Sequence, residues 1–195
     1  FNMQVVSYAI PALVAVGIYL FKRRKRSNFL IKSIRNRSIN PALNKLSGLV
    51  PESGGFLEAI PLTAFVSMCL LQSGCGNNEI VKKGVSFLYW QQREDGSWPI
   101  DTDLSTWVTT LSVKALGGRL NDTLTQESIE KIKKHLLELQ YKTIHSFNGA
   151  KPGGWGWTSY SGSVPDADDT PGAILALLEM YEGKDEETKA IINGC

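Results

Sequence analysis

Three carboxylates, Asp166, Asp168 and Asp169, fall within four positions of the chain, between Pro165 and Pro171. Carboxyl groups this close together couple their titrations, so at least one of them can keep its proton at neutral pH. Ionised neighbours and hydrogen bonds can then stabilise the conjugate base after the proton has been donated. The spacing therefore indicates a candidate general-acid site. The alternative is a solvated turn that caps the following helix, the usual role of an acidic cluster between prolines.

The residues after the cluster predict a helix that positions it. Thr170 is a residue type that caps helices and Pro171 suits a first helical turn, so we expect Thr170 to cap this helix. The positive end of the helix would favour the carboxylate formed after proton donation. A calcium-binding loop is excluded, because Pro171 occupies the position of the required glycine and Leu177 that of the required bidentate glutamate.

The cysteines and histidines form no obvious metal or redox site. Cys69, Cys75 and Cys195 are too few and too scattered for a disulfide framework, and no CxxC pair occurs. His145 lies in an insertion at 142–152, and its spacing does not identify it as a partner of the acid. No glycine-rich phosphate loop or DDxxD magnesium motif stands out. We therefore expect no metal and no cofactor.

The first 45 residues differ from the rest in charge. They hold nine basic residues and no acidic one, whereas residues 46–195 hold 12 basic and 19 acidic residues. Within this head, the uncharged stretch Val5–Phe21 is followed directly by five cations at 22–26. An apolar helix with cations after it is typical of a membrane anchor whose basic flank and following chain face the cytoplasm. The placement of the cations against the apolar stretch argues against a nucleic-acid partner.

We therefore predict three segments: a membrane-anchor helix with its basic flank over residues 1–26, a basic linker over 27–45, and a folded body over 46–195. The alternative for the apolar head is a buried helix of a larger soluble protein. A composition of 43% hydrophobic and 21% charged residues excludes a wholly disordered chain.

The body repeats itself. Each unit has a Gly-x-aromatic turn and an apolar helix opened by a threonine, and the helices begin near Thr63, Thr106 and Thr170. The first two threonines are 43 residues apart, and amphipathic segments at 81–92 and 129–140 separate the apolar helices. Alternating apolar and amphipathic helices predict concentric layers. We therefore expect an all-α fold, a partial α/α toroid of helical hairpins or an α-solenoid, with an N-terminal membrane-associated helix.

One motif of the body resembles the QW repeat of squalene-hopene and oxidosqualene cyclases. The segment 83–98 fills every anchor position of that repeat, and the segments 46–56 and 136–155 look like weakened copies. The anchors of the complete copy are Lys83, Gly84, Phe87, Leu88, Gln92, Gly96 and Trp98.

A second motif resembles the same family. The run Gly-Gly-Trp-Gly-Trp at 153–157, followed by Pro-Asp-Ala-Asp-Asp-Thr at 165–170, is similar to the stretch that carries the acid of class II terpene cyclases. The two motifs occur in the order of that family, and the resemblance covers about residues 42–190. One departure is Pro171, where the family more often has alanine.

The resemblance implies a fold and a reaction. The fold would be an α/α barrel of the α6/α6 type with one face at a membrane, and the reaction a proton-initiated cyclisation of a hydrophobic polyprene such as squalene. Asp168 would be the proton donor, and Asp166 and Asp169 would hold and tune it. Aromatic faces can guide the carbocation through a dry cavity by cation–π attraction. Candidate substrate-binding rings are Trp107, Trp155, Trp157 and Tyr160.

The length fits a membrane tether with about half of such a barrel. We therefore expect a fragment of a larger enzyme, inactive alone and membrane-associated, with its body on the cytoplasmic side. Two other functions fit the same scaffold. One is a non-catalytic α/α toroid that binds an isoprenoid or a protein partner. The other is an enzyme like the β-subunit of protein prenyltransferases, which needs a zinc site of Asp, Cys and His, and here the cysteines and histidines are far apart in the sequence.

Overall fold

Helices joined by short turns make up most of the chain. The structure is a computed structural model that describes residues 9–24 and 28–195, and these residues contain no β-strand, which confirms the predicted all-α class. The helices are α1 (Ile10–Arg23), α2 (Phe29–Ser47), α3 (Ile60–Gln72), α4 (Glu79–Trp90), α5 (Ser105–Leu116), α6 (Leu120–Thr123), α7 (Gln126–Leu139), α8 (Asp169–Glu179) and α9 (Asp185–Gly194). They divide into two compact units, one ending at Thr102 and the other beginning at Asp103.

The first unit is built around α3, an apolar helix that contacts both α1 and α4. Its fully buried Val66 shares one core with Ala15 of α1 and Val81 of α4. On α4, a Cβ added to Gly84 would lie 2.5 Å from the Oγ atom of Ser67 on α3. Glycine at this motif position therefore lets the amphipathic helix approach the apolar one closely.

The head of the chain is organised differently from the predicted segments. Because α1 packs against α3, it belongs to the first unit with the start of the body. Most of the predicted linker at 27–45 belongs to α2, which begins where the side chain of Asn28 accepts a hydrogen bond from the Leu30 N–H (3.1 Å). The second half of α2 joins the core through Ile39 and Leu43, which lie on one helix face. The spacing of these apolar residues explains why the segment is helical.

No helix within residues 9–24 and 28–195 is long and apolar enough to cross a membrane. Part of the predicted anchor and of its basic flank falls on residues 1–8 and 25–27, outside the described residues.

The second unit is built around α8. This helix packs on α5, α7 and α9, and its Ala173 and Leu177 are fully buried together with Leu136 of α7. A Cβ added to Gly172 of α8 would lie 3.2 Å from the Oγ1 atom of Thr110 on α5, so these two apolar helices run in close contact.

The Gly-x-Trp turns of the two units make equivalent contacts. Trp98 Nε1 donates a hydrogen bond to the main-chain carbonyl of Leu88 (2.7 Å), ten residues earlier. In the second unit Trp155 Nε1 donates to the carbonyl of Leu136 (2.7 Å) across a longer connection. The two leucines lie four residues before the glutamine of their respective motifs, so the weakened copy at 136–155 builds the same turn as the complete one.

The glutamines of these motifs also act alike. Gln92 Nε2 donates to the carbonyl of Gly96 (3.1 Å), and Gln140 Nε2 donates to the carbonyl of Gly153 (2.8 Å). Gln140 makes a second bond, to the carbonyl of Ala190 near the end of α9 (2.8 Å). Each glutamine therefore closes its own turn, and Gln140 also fastens that turn to a neighbouring helix.

Candidate functional site

The acidic segment lies at the start of α8, held on one side by the Gly-Gly-Trp turn. The N–H of Asp166 donates to the carbonyl of Trp155 (3.2 Å). On the other side, Asn148 Nδ2 of the insertion donates to the carbonyl of Pro165 (3.2 Å). Two segments that are distant in sequence therefore fix the main chain directly before the three carboxylates.

Asp166 is the residue whose side chain satisfies the free N–H groups at the start of α8. Its Oδ1 atom accepts hydrogen bonds from the N–H groups of Asp168 (2.9 Å) and Asp169 (2.8 Å). The prediction that Thr170 caps this helix is therefore wrong, because the N-cap position is Asp168, two residues earlier, and the capping oxygen comes from Asp166. A carboxylate in this position is stabilised by charge-assisted bonds and by the positive helix end.

Thr170 instead ties the helix to the aromatic turn. Its Oγ1 atom accepts a hydrogen bond from the N–H of Trp155 (3.0 Å) and donates one to the Trp155 carbonyl (3.2 Å). The hydroxyl thus pairs both main-chain groups of one residue, which fixes the distance between the turn and the acid cluster.

Asp169 is the buried member of the cluster, with only 4% of its surface exposed. Burial raises the pKa of Asp169 most, and the charge and hydrogen bonding of Asp166 and the charge of Asp168 raise it further, to about 7. Its Oδ1 atom is buried without a hydrogen-bond partner among the described residues. Since the charged form of a buried carboxyl beside two other carboxylates is disfavoured, Asp169 holds its proton up to about pH 7.

Asp168 lies between these two residues in sequence and differs from both. It occupies the N-cap position of α8, and its side chain is exposed. The three carboxyl groups therefore have three environments: Asp166 is bonded to main-chain N–H groups, Asp168 faces outward, and Asp169 is buried, with its pKa raised. The prediction that one member of the cluster can keep its proton holds for Asp169, whereas the resemblance assigns the donor role to Asp168.

A fourth carboxylate, Asp103, organises the loop that follows the aromatic turn. It accepts hydrogen bonds from the Ser105 N–H (2.9 Å) and hydroxyl (2.8 Å), from the Thr158 hydroxyl (2.8 Å) and from the Ser159 hydroxyl (3.3 Å). Burial opposes the charged form, but these bonds outweigh it and lower the pKa of Asp103. Asp103 therefore stays ionised and joins the start of α5 to the loop at 158–159.

The predicted aromatic residues do not share one environment. Trp155 is fully buried in the core of the second unit and its indole N–H is bonded to Leu136. This corrects the prediction that Trp155 is a substrate-binding ring, because a ring enclosed by the core has no free face. Trp107 and Tyr160 are 44% and 46% exposed, and Trp157 is half-buried, with its carbonyl accepting the Trp107 N–H (3.2 Å). Three of the four candidates therefore keep an accessible surface.

The insertion at 142–152 supports the acidic segment, a role that the sequence did not predict. His145 is buried and stacks edge-on against Tyr141 at a centroid distance of 4.8 Å. Burial lowers the pKa of His145, so the imidazole is neutral at pH 7. Tyr141 in turn donates to the carbonyl of Ser163 (2.7 Å), three residues before Asp166. The histidine therefore helps to hold the loop, and its sequence position inside an insertion gave no signal of this.

A cavity of about 360 Å³ adjoins Asp166 and Thr170. It is lined in part by Lys151 and Asn193, and neither Trp107 nor Tyr160 lines it. The accessible aromatic rings are therefore not part of this cavity. Within the described part of the chain, no three His, Cys, Asp or Glu side chains form a group that could hold a metal ion.

The chain was compared with known proteins. No family model matches it, and none of the curated proteins matches it.

Proposed function

We propose that this chain belongs to a class II, proton-initiated cyclase that acts on squalene or a related polyprene, and that its helices are part of an α/α toroid with a membrane-associated N-terminal helix. The observation that carries the proposal is the buried Asp169 within the Pro-Asp-Ala-Asp-Asp-Thr segment, where burial and two neighbouring carboxylates raise its pKa to about 7, because alkene protonation requires an acid that keeps its proton near neutral pH. The Gly-x-Trp turn at 153–155, which is hydrogen-bonded to this segment, supports the same assignment.

The three carboxyl groups would divide the work of proton donation. Asp168 is the donor in this proposal, because its side chain is the exposed one of the adjacent pair and can reach a substrate. Asp169 keeps a proton in the cluster at neutral pH, and Asp166 holds the helix start. In the initiating step the O–H bond of a protonated Asp168 breaks as the π electrons of a terminal alkene form a C–H bond with its proton, which Asp168 receives in this proposal from Asp169. The step leaves a tertiary carbocation on the substrate and a carboxylate on Asp168, which the N-terminus of α8 stabilises.

The exposed aromatic residues suit the later steps. Trp107 and Tyr160 present faces that are not enclosed by the core of the second unit. Such faces can stabilise a carbocation without forming a bond to it, whereas a hydroxyl or carboxylate would form a bond and end the reaction. No metal or cofactor enters the proposed step, because the proton supplies the electrophile.

The test is turnover of squalene in deuterated water by the longest natural polypeptide that contains this sequence. Cyclic products should carry one deuterium at the carbon that receives the initiating proton, as read by mass spectrometry. The Asp168→Asn variant should lose at least about a hundredfold in rate, the contribution typical of a general acid. Asp185→Asn, which makes the same change at the exposed start of α9, is the matched control and should leave the rate unchanged.

Two results would reject the proposal. Unchanged product from the Asp168→Asn variant would remove the donor assignment. A wild-type chain that forms no cyclic product but retains a bound isoprenoid would favour the non-catalytic toroid instead.

A further inference from the structure

A groove of about 890 Å³ lies between α1 and α2 in the first unit. Its lining is mostly apolar and runs from Leu13 and Ala42 at one end to arginines at the other. Along α1 this distance is ten residues, or about 15 Å at the helical rise. The groove therefore has the length of a good part of an acyl chain.

Three arginines line the end of the groove near the connection between the two helices: Arg23, Arg24 and Arg35. Residues 9–24 and 28–51 hold seven cations and no acidic residue. No carboxylate among the described residues forms an ion pair with these arginines. Arg23 donates a hydrogen bond to the Tyr19 hydroxyl (2.8 Å), which leaves its charge without a carboxylate partner. An apolar groove that ends in such arginines fits a ligand with one hydrocarbon chain and an anionic head.

The surface next to the groove indicates where such a ligand comes from. In the first half of α2, Leu30 and Ile34 are 67% and 66% exposed, and Ile31 is exposed beside them. At 3.6 residues per turn these three side chains fall within an arc of about 100°, turned away from the buried face of the helix. Arg35 and Arg37 flank this arc on either side. Exposed aliphatic side chains bordered by arginines are typical of a helix that lies in a membrane interface.

We propose that the groove between α1 and α2 holds one anionic phospholipid of a membrane surface, with an acyl chain along the groove and the phosphate against Arg23, Arg24 and Arg35. The exposed stripe of α2 enters the headgroup region of the same bilayer. A soluble anionic amphiphile would fill the groove but would leave Leu30, Ile31 and Ile34 in water, which is why the bilayer is the source we infer. The site is independent of the proposed cyclisation.

Gly17 offers a way to close the groove without disturbing the fold. It lines the groove within α1, and a Cβ added there meets no atom within 4 Å. Gly17→Leu should therefore place a side chain in the groove, while Gly17→Ala raises helix propensity and fills little of it. Comparing these two variants separates the effect of filling the groove from any effect on the stability of the helix.

The experiment measures binding of the chain to vesicles of phosphatidylcholine alone and of phosphatidylcholine mixed with phosphatidylserine, by co-sedimentation. We expect binding only to the mixed vesicles. Gly17→Leu should weaken that binding about tenfold relative to Gly17→Ala, since it displaces roughly two methylene groups of the lipid. The double variant Arg24→Gln, Arg35→Gln should weaken it about 25-fold, at about fivefold per cation. Lys45→Gln removes one cation at the other end of α2, outside the groove, and should change it less than about twofold, against about fivefold for each arginine.

Each alternative result is decisive. Equal binding of Gly17→Leu and Gly17→Ala, with loss in the arginine variant, would mean that cations adsorb to the surface and that no lipid occupies the groove. Equal binding to both kinds of vesicle would overturn the anionic site. Capture of a soluble short-chain phosphatidylserine as tightly as of vesicles would overturn the membrane source. Circular dichroism of each variant verifies the fold, and the assay needs no turnover, so its outcome is separate from that of the cyclase test.

Discussion

Replacing the buried Asp169 by asparagine tests whether this carboxyl is protonated in the folded chain. The pKa of Asp169 is raised from 3.8 to about 7. Between these two pH values the folded chain therefore holds a proton that the unfolded chain has lost. The stabilisation from that proton is fully present below pH 3.8 and is lost as the pH rises through about 7. At 1.36 kcal/mol per pKa unit, the difference corresponds to about 4 kcal/mol between pH 4 and pH 8.

The asparagine side chain has nearly the same shape and does not titrate. The Asp169→Asn variant should therefore gain stability relative to the wild type as the pH rises, by about 4 kcal/mol from pH 4 to pH 8. The assay is urea unfolding followed by circular dichroism at several pH values in this interval. Asp168→Asn removes the same charge from the adjacent, exposed position, and its stability difference should stay within about 1 kcal/mol over the interval. A difference for Asp169→Asn that does not change with pH would refute the argument, because Asp169 would then ionise as it does in the unfolded chain.

Two further predictions concern the packing that supports the site, and both use urea unfolding at pH 7. Trp155→Phe should lower the free energy of unfolding by about 1–3 kcal/mol, because it leaves a buried carbonyl without its donor. Trp98→Phe loses the same bond in an exposed turn and should cost less than about 1 kcal/mol. Equal losses would show that burial does not set the strength of this bond. Lys133 is buried and pairs with the buried Glu187 (3.2 Å), so Lys133→Met should cost about 3–5 kcal/mol by leaving that carboxylate without its cation. Lys131→Met breaks only an exposed pair with Glu127 and should cost less than about 1 kcal/mol. A small loss for Lys133→Met would mean that Glu187 is stabilised by the hydrogen bonds it accepts from the N–H groups of Glu182 and Lys184 alone.

The sequence predicted the helical class and the repeat because both follow from local patterns. The positions of apolar residues predict α3, α5 and α8 to within about one turn. The motif at 83–98 predicted the Trp98 turn, and the shared glutamine and tryptophan extended that prediction to the turn at Trp155. These features depend on residues that are close in sequence, so their spacing is enough.

The segment 27–45 was predicted as a basic linker because cations separate its apolar residues. Ile39, Leu43 and Leu46 fall on one face of α2, but basic and polar residues fill the positions between them. The burial of Ile39 and Leu43 depends on a core formed with α1 and α3, which no local window contains. Tertiary packing therefore decides this segment, as it also decides that His145 supports the acidic loop.

The positions of the three aspartates relative to one helix start explain their different environments. A side chain can accept hydrogen bonds from free N–H groups two and three residues later in the chain. Asp166 has this position relative to Asp168 and Asp169. The next acid, Asp168, occupies the N-cap and points outward, whereas Asp169 begins the helix on the face that packs into the second unit. Sequence alone shows three similar acids, because the helix start that separates them was expected at Thr170. Once the start is known, Asp166 is the residue that holds the helix N-terminus, Asp169 is the buried acid, and Asp168 is the exposed carboxyl group.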